Sequence, residues 1–178
     1  GARRTLVVKS PVAAAVGAGV EFHEPHGVMQ IVLGGSTTEI SVLSLNGIVA
    51  ARSMRTGGNA MDEAVVRYLR REKGIVIGVR TAEDLKMDLG SATEPEEDTT
   101  VRVKGRSVHT GRPETIEITN RDIYLALRAP VELLVDAIKD ALANTPAELA
   151  GDLMDKGIHL SGGGALLSGL NQLLHEAT

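Results

Sequence analysis

Two short stretches hold residue types that can do chemistry. The first is Gly34-Gly35-Ser36-Thr37-Thr38, which follows the apolar run Val28 to Leu33. Glycines let a backbone approach a ligand closely, and their N–H groups can converge on an anion. The hydroxyls of Ser36, Thr37 and Thr38 can add donors. The second is Ser161-Gly162-Gly163-Gly164-Ala165, ahead of an amphipathic stretch. An amide-rich helix start suits an anion, or a nucleoside laid on bare backbone. Each turn taken alone is equally a plain hairpin or connector. Neither is a Walker loop, because no Gly-Lys-Ser/Thr follows the glycines. A phosphate-transferring site usually sets a carboxylate on the strand before the glycines, and here that place is apolar.

Both turns need strands to hold them. Val28 to Leu33 and Ile158 to Ser161 read as buried strands. Thr38 to Leu45 is β-branched, and Gly47 to Arg55 returns after Asn46-Gly47, a pair that accepts the positive φ of a type I′ turn. A three-stranded antiparallel meander is expected, with the first glycine turn between its first two strands. Thr5 to Lys9 reads as a further short strand, and Pro11 opens an Ala-rich helix.

Asn59 can cap a helix after Gly57-Gly58, with Asp62 favouring its positive end and Met61, Val65, Tyr68 and Leu69 on one face. A second helix is expected from Thr81 to Leu89, with Thr81 and Asp84 in capping-box spacing. Thr93 to Thr99 is an acidic loop. Thr100 to Lys104 and Thr115 to Ile118 alternate as strands of a small β-element. Thr119 or Asn120 caps a long helix to about Asn144, in which Pro130 implies a kink or break. Thr145-Pro146-Ala147-Glu148 reads as a capping box for a short helix ending near Gly157. Ala165 to His175 is the last helix, with Leu166, Leu167, Leu170, Leu173 and Leu174 as its apolar stripe. The order of elements is mixed α/β.

Composition removes several classes of function. The 178 residues carry a net charge of −4, so nothing marks a nucleic-acid partner. Aromatics are 2% of the chain, too few for base-stacking platforms. With no cysteine, thiol nucleophiles, disulfides and thiolate zinc sites are excluded. That absence fits a cytoplasmic protein. No apolar run approaches the roughly 20 residues of a membrane span. The abrupt start, GARRTLVV, gives the expectation of a piece from a longer protein.

Six ordered motifs carry a resemblance: SPVAAAVGAG, LGGSTTEISVLSLNGIV, RTGGNAMDEAVVRYLRR, IGVRTAEDLKMDLGSA, VKGRSVHTGRPETIEIT and TPAELAGDLMDKGIHLSGGGALLSGL. Over nearly its whole length the chain resembles the MreB/Mbl family of bacterial actin-like filament proteins. The resemblance implies an actin-like ATPase fold. It implies an RNase-H-like core over residues 1–58 and 145–178. Helices and a small α+β insert would occupy residues 59–144, with insert strands at about 99–118. It also implies ATP with magnesium held between two lobes, of which this chain is the second. Further implications are self-association or assembly with other actin-like subunits, and contact with cell-shape or cell-wall complex proteins. The place of work would be the cytoplasm, at the inner face of the membrane through partners. By matched motif, Gly34, Gly35, Ser36 and Thr37 correspond to the second phosphate loop. Glu83 and Lys86 correspond to positions at the nucleoside end, although a surface Glu–Lys helix pair reads the same way. Gly162, Gly163, Gly164 and Ala165 correspond to the adenosine motif.

The departures from the family pattern are specific. Its loop reads Asp-Ile-Gly-Gly-Gly-Thr-Thr-Glu, but here Val32 takes the Asp place and Ser36 that of the third glycine. Lys9 and Ser10 replace an acidic pair before the proline of the Ala-rich helix, and Asn59 replaces an Asp. Phosphoryl transfer rests on positioning and charge stabilisation, so losing the metal-ordering and water-orienting carboxylates removes both. The expected role is a cytoskeletal one in cell shape, with weak or no ATP hydrolysis, no catalytic residues and no metal ligands. Two alternatives stand beside it. One is an active ATPase or kinase of the same superfamily, with Glu39 or Asp62 supplying the carboxylate. The other is a chaperone-type regulator.

Overall fold

The computed structural model describes residues 1–178. In chain order the elements are α1 (Ser10–Gly17), β1 (Val28–Leu33), β2 (Thr38–Ser44), β3 (Gly47–Met54), α2 (Gly58–Glu72), β4 (Ile75–Val76) and α3 (Val79–Leu89). They continue with β5 (Thr100–Ser107), β6 (Pro113–Thr119), α4 (Asn120–Ala143), α5 (Ala147–Lys156), β7 (Ile158–Ser161), a 3₁₀ turn (Gly163–Leu166) and α6 (Leu170–Ala177).

The central strand is β1, because its apolar run is covered on both faces. Met29, Ile31 and Leu33 enter the main core, whereas Val28 packs with Ala15, Phe22 and Leu43 in a second cluster that includes α1. β2 pairs with β1 antiparallel, β3 follows β2, and β7 lies parallel on the other side of β1. The sheet order is β3-β2-β1-β7, and a second sheet runs β4-β5-β6. The main core also takes in Val103 and Ile118 of that small sheet, together with Ile123, Leu127, Leu134 and Ile138 of α4. The parallel β1–β7 pairing brings the ends of both strands, and hence both glycine turns, to one edge.

Several local expectations are corrected. Thr5 to Lys9 forms no strand; Leu6, Val7 and Val8 are 73%, 98% and 58% exposed. A strand needs a neighbour for its N–H and C=O groups, and neither sheet supplies one there. The β2–β3 turn is centred on Leu45 (φ 48°) and Asn46 (φ 60°) rather than Asn46-Gly47, because Ser44 pairs with Gly47. α3 starts two residues before Thr81, with Gly78 as its cap residue, so the Thr81/Asp84 box does not form. The insert strands are longer than expected and gain β4 as a third member. α4 runs unbroken through Pro130, which is buried between halves packed on the same core. Thr145 does not cap α5; its hydroxyl donates to Ala141 O at 2.8 Å, leaving Pro146 as the cap residue. The last helix starts at Leu170, after Gly169 at φ +71° interrupts the stretch. Leu170 and Leu174 are buried, but Leu166 is 88% exposed and lies outside the stripe.

Candidate functional site

The first glycine turn is held by the start of α2. Gly58 N–H donates to Gly34 O at 3.0 Å, and Asn59 N–H donates to Gly35 O at 2.7 Å. Loop carbonyls therefore take donors that a helix start leaves free, and Asn59 makes no cap. Its side chain instead donates to Ser36 Oγ at 3.3 Å. The docking leaves no space at Gly57, where a Cβ would stand 2.5 Å from Gly34 O. Gly34 N–H is used within the turn, on Thr37 O. The amides of Gly35, Ser36 and Thr37 donate to no carbonyl, so this exposed run keeps three donors for a ligand. Thr38 is different. It is 1% exposed and its hydroxyl donates to Thr56 O, so it is spent on the fold.

The second turn lies against the end of β1. Gly162 has φ +87°, and a Cβ there would stand 2.3 Å from Leu33 O. Gly164 is similarly close to the Leu33 side chain, whereas nothing lies within 4 Å of the Cβ position of Gly163. The turn leads into a 3₁₀ turn rather than an α-helix, so the expected helix N-terminus is not there.

α3 closes the site. Lys86 Nζ is 2.7 Å from Asp62 Oδ1 of α2 and donates to Gly58 O at 3.4 Å. It forms no ion pair with Glu83, so the surface Glu–Lys helix pair is corrected: Lys86 turns inward and Glu83 remains exposed.

An open cleft of about 480 Å³ gathers these groups. Six of the ten residues matched to the nucleotide motifs line it: Gly34, Gly35, Glu83, Lys86, Gly163 and Gly164. Ser36, Thr37, Gly162 and Ala165 do not line the cleft; they belong to the turns beside it. The side chains of Asp62, Met87 and Asp88 add to its walls. Asp62 read as a helix-dipole residue in the sequence. Its place between Met61 and Val65, both buried, was the available signal that it faces inward.

The acidic alternatives fare differently. Glu39 does not line the cleft, and Asp62 lines it but faces Lys86. Val32 is half-buried between Glu39 and Ser161 in the sheet, and Lys9 and Ser10 lie exposed at the start of α1. No three His, Asp or Glu side chains gather closely enough to hold a metal. The free amides and bare glycine backbone fit a nucleotide, and the carboxylates lining the cleft are Asp62, held by Lys86, and the exposed Glu83 and Asp88. No helix is long and apolar enough to cross a membrane.

A family model described as MreB/Mbl protein matches residues 1–178. The cell shape-determining protein MreB of Escherichia coli (strain K12) is 43% identical over 178 residues, covering 100% of this chain and 51% of the relative. A crystal structure of MreB5 of Spiroplasma citri bound to ADP aligns at TM-score 0.94 and 34% identity, covering 99% of this chain and 54% of that one. A MamK double helical filament aligns at TM-score 0.72 with 20% identity, covering 93% of this chain and 49% of that one, which shows the shared actin-like fold. The chain spans about half the length of the curated relatives it matches.

Proposed function

Because this chain belongs to the MreB/Mbl family, we propose that it is one lobe of an actin-like, cell shape-determining cytoskeletal subunit. It holds a nucleotide in the cleft between its glycine turns and α3, with weak or no ATP hydrolysis. The observation that carries this reading is the convergence of Gly34, Gly35, Glu83, Lys86, Gly163 and Gly164 on one cleft. The similar MreB5 structure is bound to ADP, and the meeting of two glycine turns on one cleft supports the same property here. Gly35, Ser36 and Thr37 offer their amides to phosphate oxygens. Gly163 offers open backbone, and Glu83 accepts from sugar hydroxyls.

Weak hydrolysis follows from the residues that stand at the family's acidic positions. Val32 supplies no oxygen to a metal shell, and Lys9 and Ser10 supply no base for water. The protein then acts through assembly with itself or other actin-like subunits, and through cell-shape and cell-wall proteins. It works in the cytoplasm and reaches the inner membrane face through those partners.

Calorimetric titration with ADP and ATP, with and without magnesium, tests the reading alongside a phosphate-release assay. Nucleotide binding with little magnesium dependence and no release is expected. Magnesium-dependent turnover would overturn the weak-hydrolysis part, and absence of binding would overturn the cleft assignment.

A further inference from the structure

Asp62 is 3% exposed and reaches the cleft wall from the start of α2. In its pair with Lys86 the two side chains are 5% and 15% exposed. The ammonium also touches Gly58 O, and Gly58 N–H holds Gly34 O. One line of contacts therefore runs from Asp62 through Lys86 and the first turn of α2 into the glycine loop. An ammonium has three donors. One goes to Gly58 and one side faces Asp62, which leaves capacity toward the cleft that Lys86 lines. Asp62 Oδ1 has no well-directed hydrogen bond despite its 2.7 Å approach, so the contact is mainly one of charge.

That charge relation decides what the cleft can hold. Lys86 is the only cationic side chain lining it; the other ionisable side chains are Asp62, Glu83 and Asp88. A cation with a carboxylate at contact distance acts on a distant anion as a dipole, whose attraction is much weaker than that of a free charge. Its remaining N–H still donates to a neutral acceptor.

We infer that Asp62 is a positioning residue that fixes Lys86 and cancels its charge, biasing the cleft toward the uncharged hydroxyls of a nucleoside over its phosphate chain. The inference rests on the nucleotide reading above. What it adds to that reading is the role of Asp62 in setting the charge that Lys86 presents to the cleft.

The test is calorimetric titration of the full chain with adenosine and with ADP in metal-free buffer, for the parent and for Asp62→Asn. Asparagine keeps the shape but removes the charge, so the ADP-to-adenosine affinity ratio is expected to rise about tenfold. An unchanged ratio would overturn the inference, because a merely structural role lowers both affinities together. Lys86→Met combined with Asp62→Asn, which removes both charges of the pair and so leaves neither uncompensated, gives a second readout should Asp62→Asn alone fail to fold. It is expected to weaken adenosine and ADP by the same factor. A loss about tenfold larger for ADP would make Lys86 a phosphate ligand and end the proposal. Absence of binding by the parent to either compound is a separate result, which removes the nucleotide reading itself.

Discussion

Val32 on β1 stands directly opposite Glu39 on β2, with Ser161 of β7 on its other side. Directly opposed residues share a face of the sheet and interact. Val32→Asp therefore sets a second carboxylate beside Glu39 and removes a half-buried apolar side chain. Near neutral pH it is expected to cost about 1–2 kcal/mol in urea unfolding without metal. Millimolar magnesium is expected to restore part of that loss by binding the new pair. A loss indifferent to magnesium would mean that this position forms no metal site in the chain.

The Asp62–Lys86 pair is largely withdrawn from water. Removing one partner leaves the other charge uncompensated, so Asp62→Ala is expected to destabilise by about 3 kcal/mol. Adding Lys86→Met is expected to recover most of it. Chemical denaturation of the two single variants and the double variant gives the coupling; additive losses would contradict it.

Gly57 has extended backbone, φ −135°, so its requirement is space rather than conformation. A Cβ there would stand 2.5 Å from Gly34 O and 2.7 Å from Gly35 O. Gly57→Ala must push the loop off α2, at a cost of about 2 kcal/mol. ADP affinity is expected to fall with it. Unchanged melting and binding would show that the loop yields freely.

Asp122 closes the capping box at the start of α4. Its carboxylate accepts from Thr119 N–H at 3.0 Å and lies 2.9 Å from Lys73 Nζ. Burial alone would raise its pKa, but the hydrogen bonds from Lys73 and from Thr119, with the Lys73 charge, hold it below the ordinary carboxylate value. A depressed folded pKa contributes stability that is present above the unfolded value, about 4, and is lost as pH falls through the folded one. Asp122→Asn is expected to cost about 1–2 kcal/mol at neutral pH. It should also flatten the acid limb of stability against pH, and an equally steep limb in the variant would exclude Asp122 as its source.

Leu45 holds φ 48° while 65% exposed, so it bears left-handed strain without a buried contact to offset it. Leu45→Asn is expected to stabilise the β2–β3 turn by about 0.5–1 kcal/mol. Thermal melts would show this as a raised midpoint, and a lowered one would mean that the leucine packs usefully.

The sequence by itself determined most of the strands and helices, because their signals are local. β1, β2, β7 and α1 follow from runs of apolar and β-branched residues and from Pro11 at a first turn. The two glycine turns were legible for the same reason. Ser36, Thr37, Gly162 and Ala165 stand in those turns even though they do not line the cleft.

Other features depend on neighbours far along the chain, and only the tertiary structure decided them. Thr5 to Lys9 has the composition of a strand but no edge to join. The β2–β3 register moved the turn by one residue, onto Leu45. α2 is capped by the carbonyls of a loop more than twenty residues earlier, which left the Asn59 side chain free to reach Ser36. Lys86 turned from a surface pair with Glu83 to a buried one with Asp62 because α3 packs against α2. Hydrophobic period and turn chemistry are written in adjacent residues. The partner of a buried charge is set by which helices meet across the core, and that is a property of the folded chain.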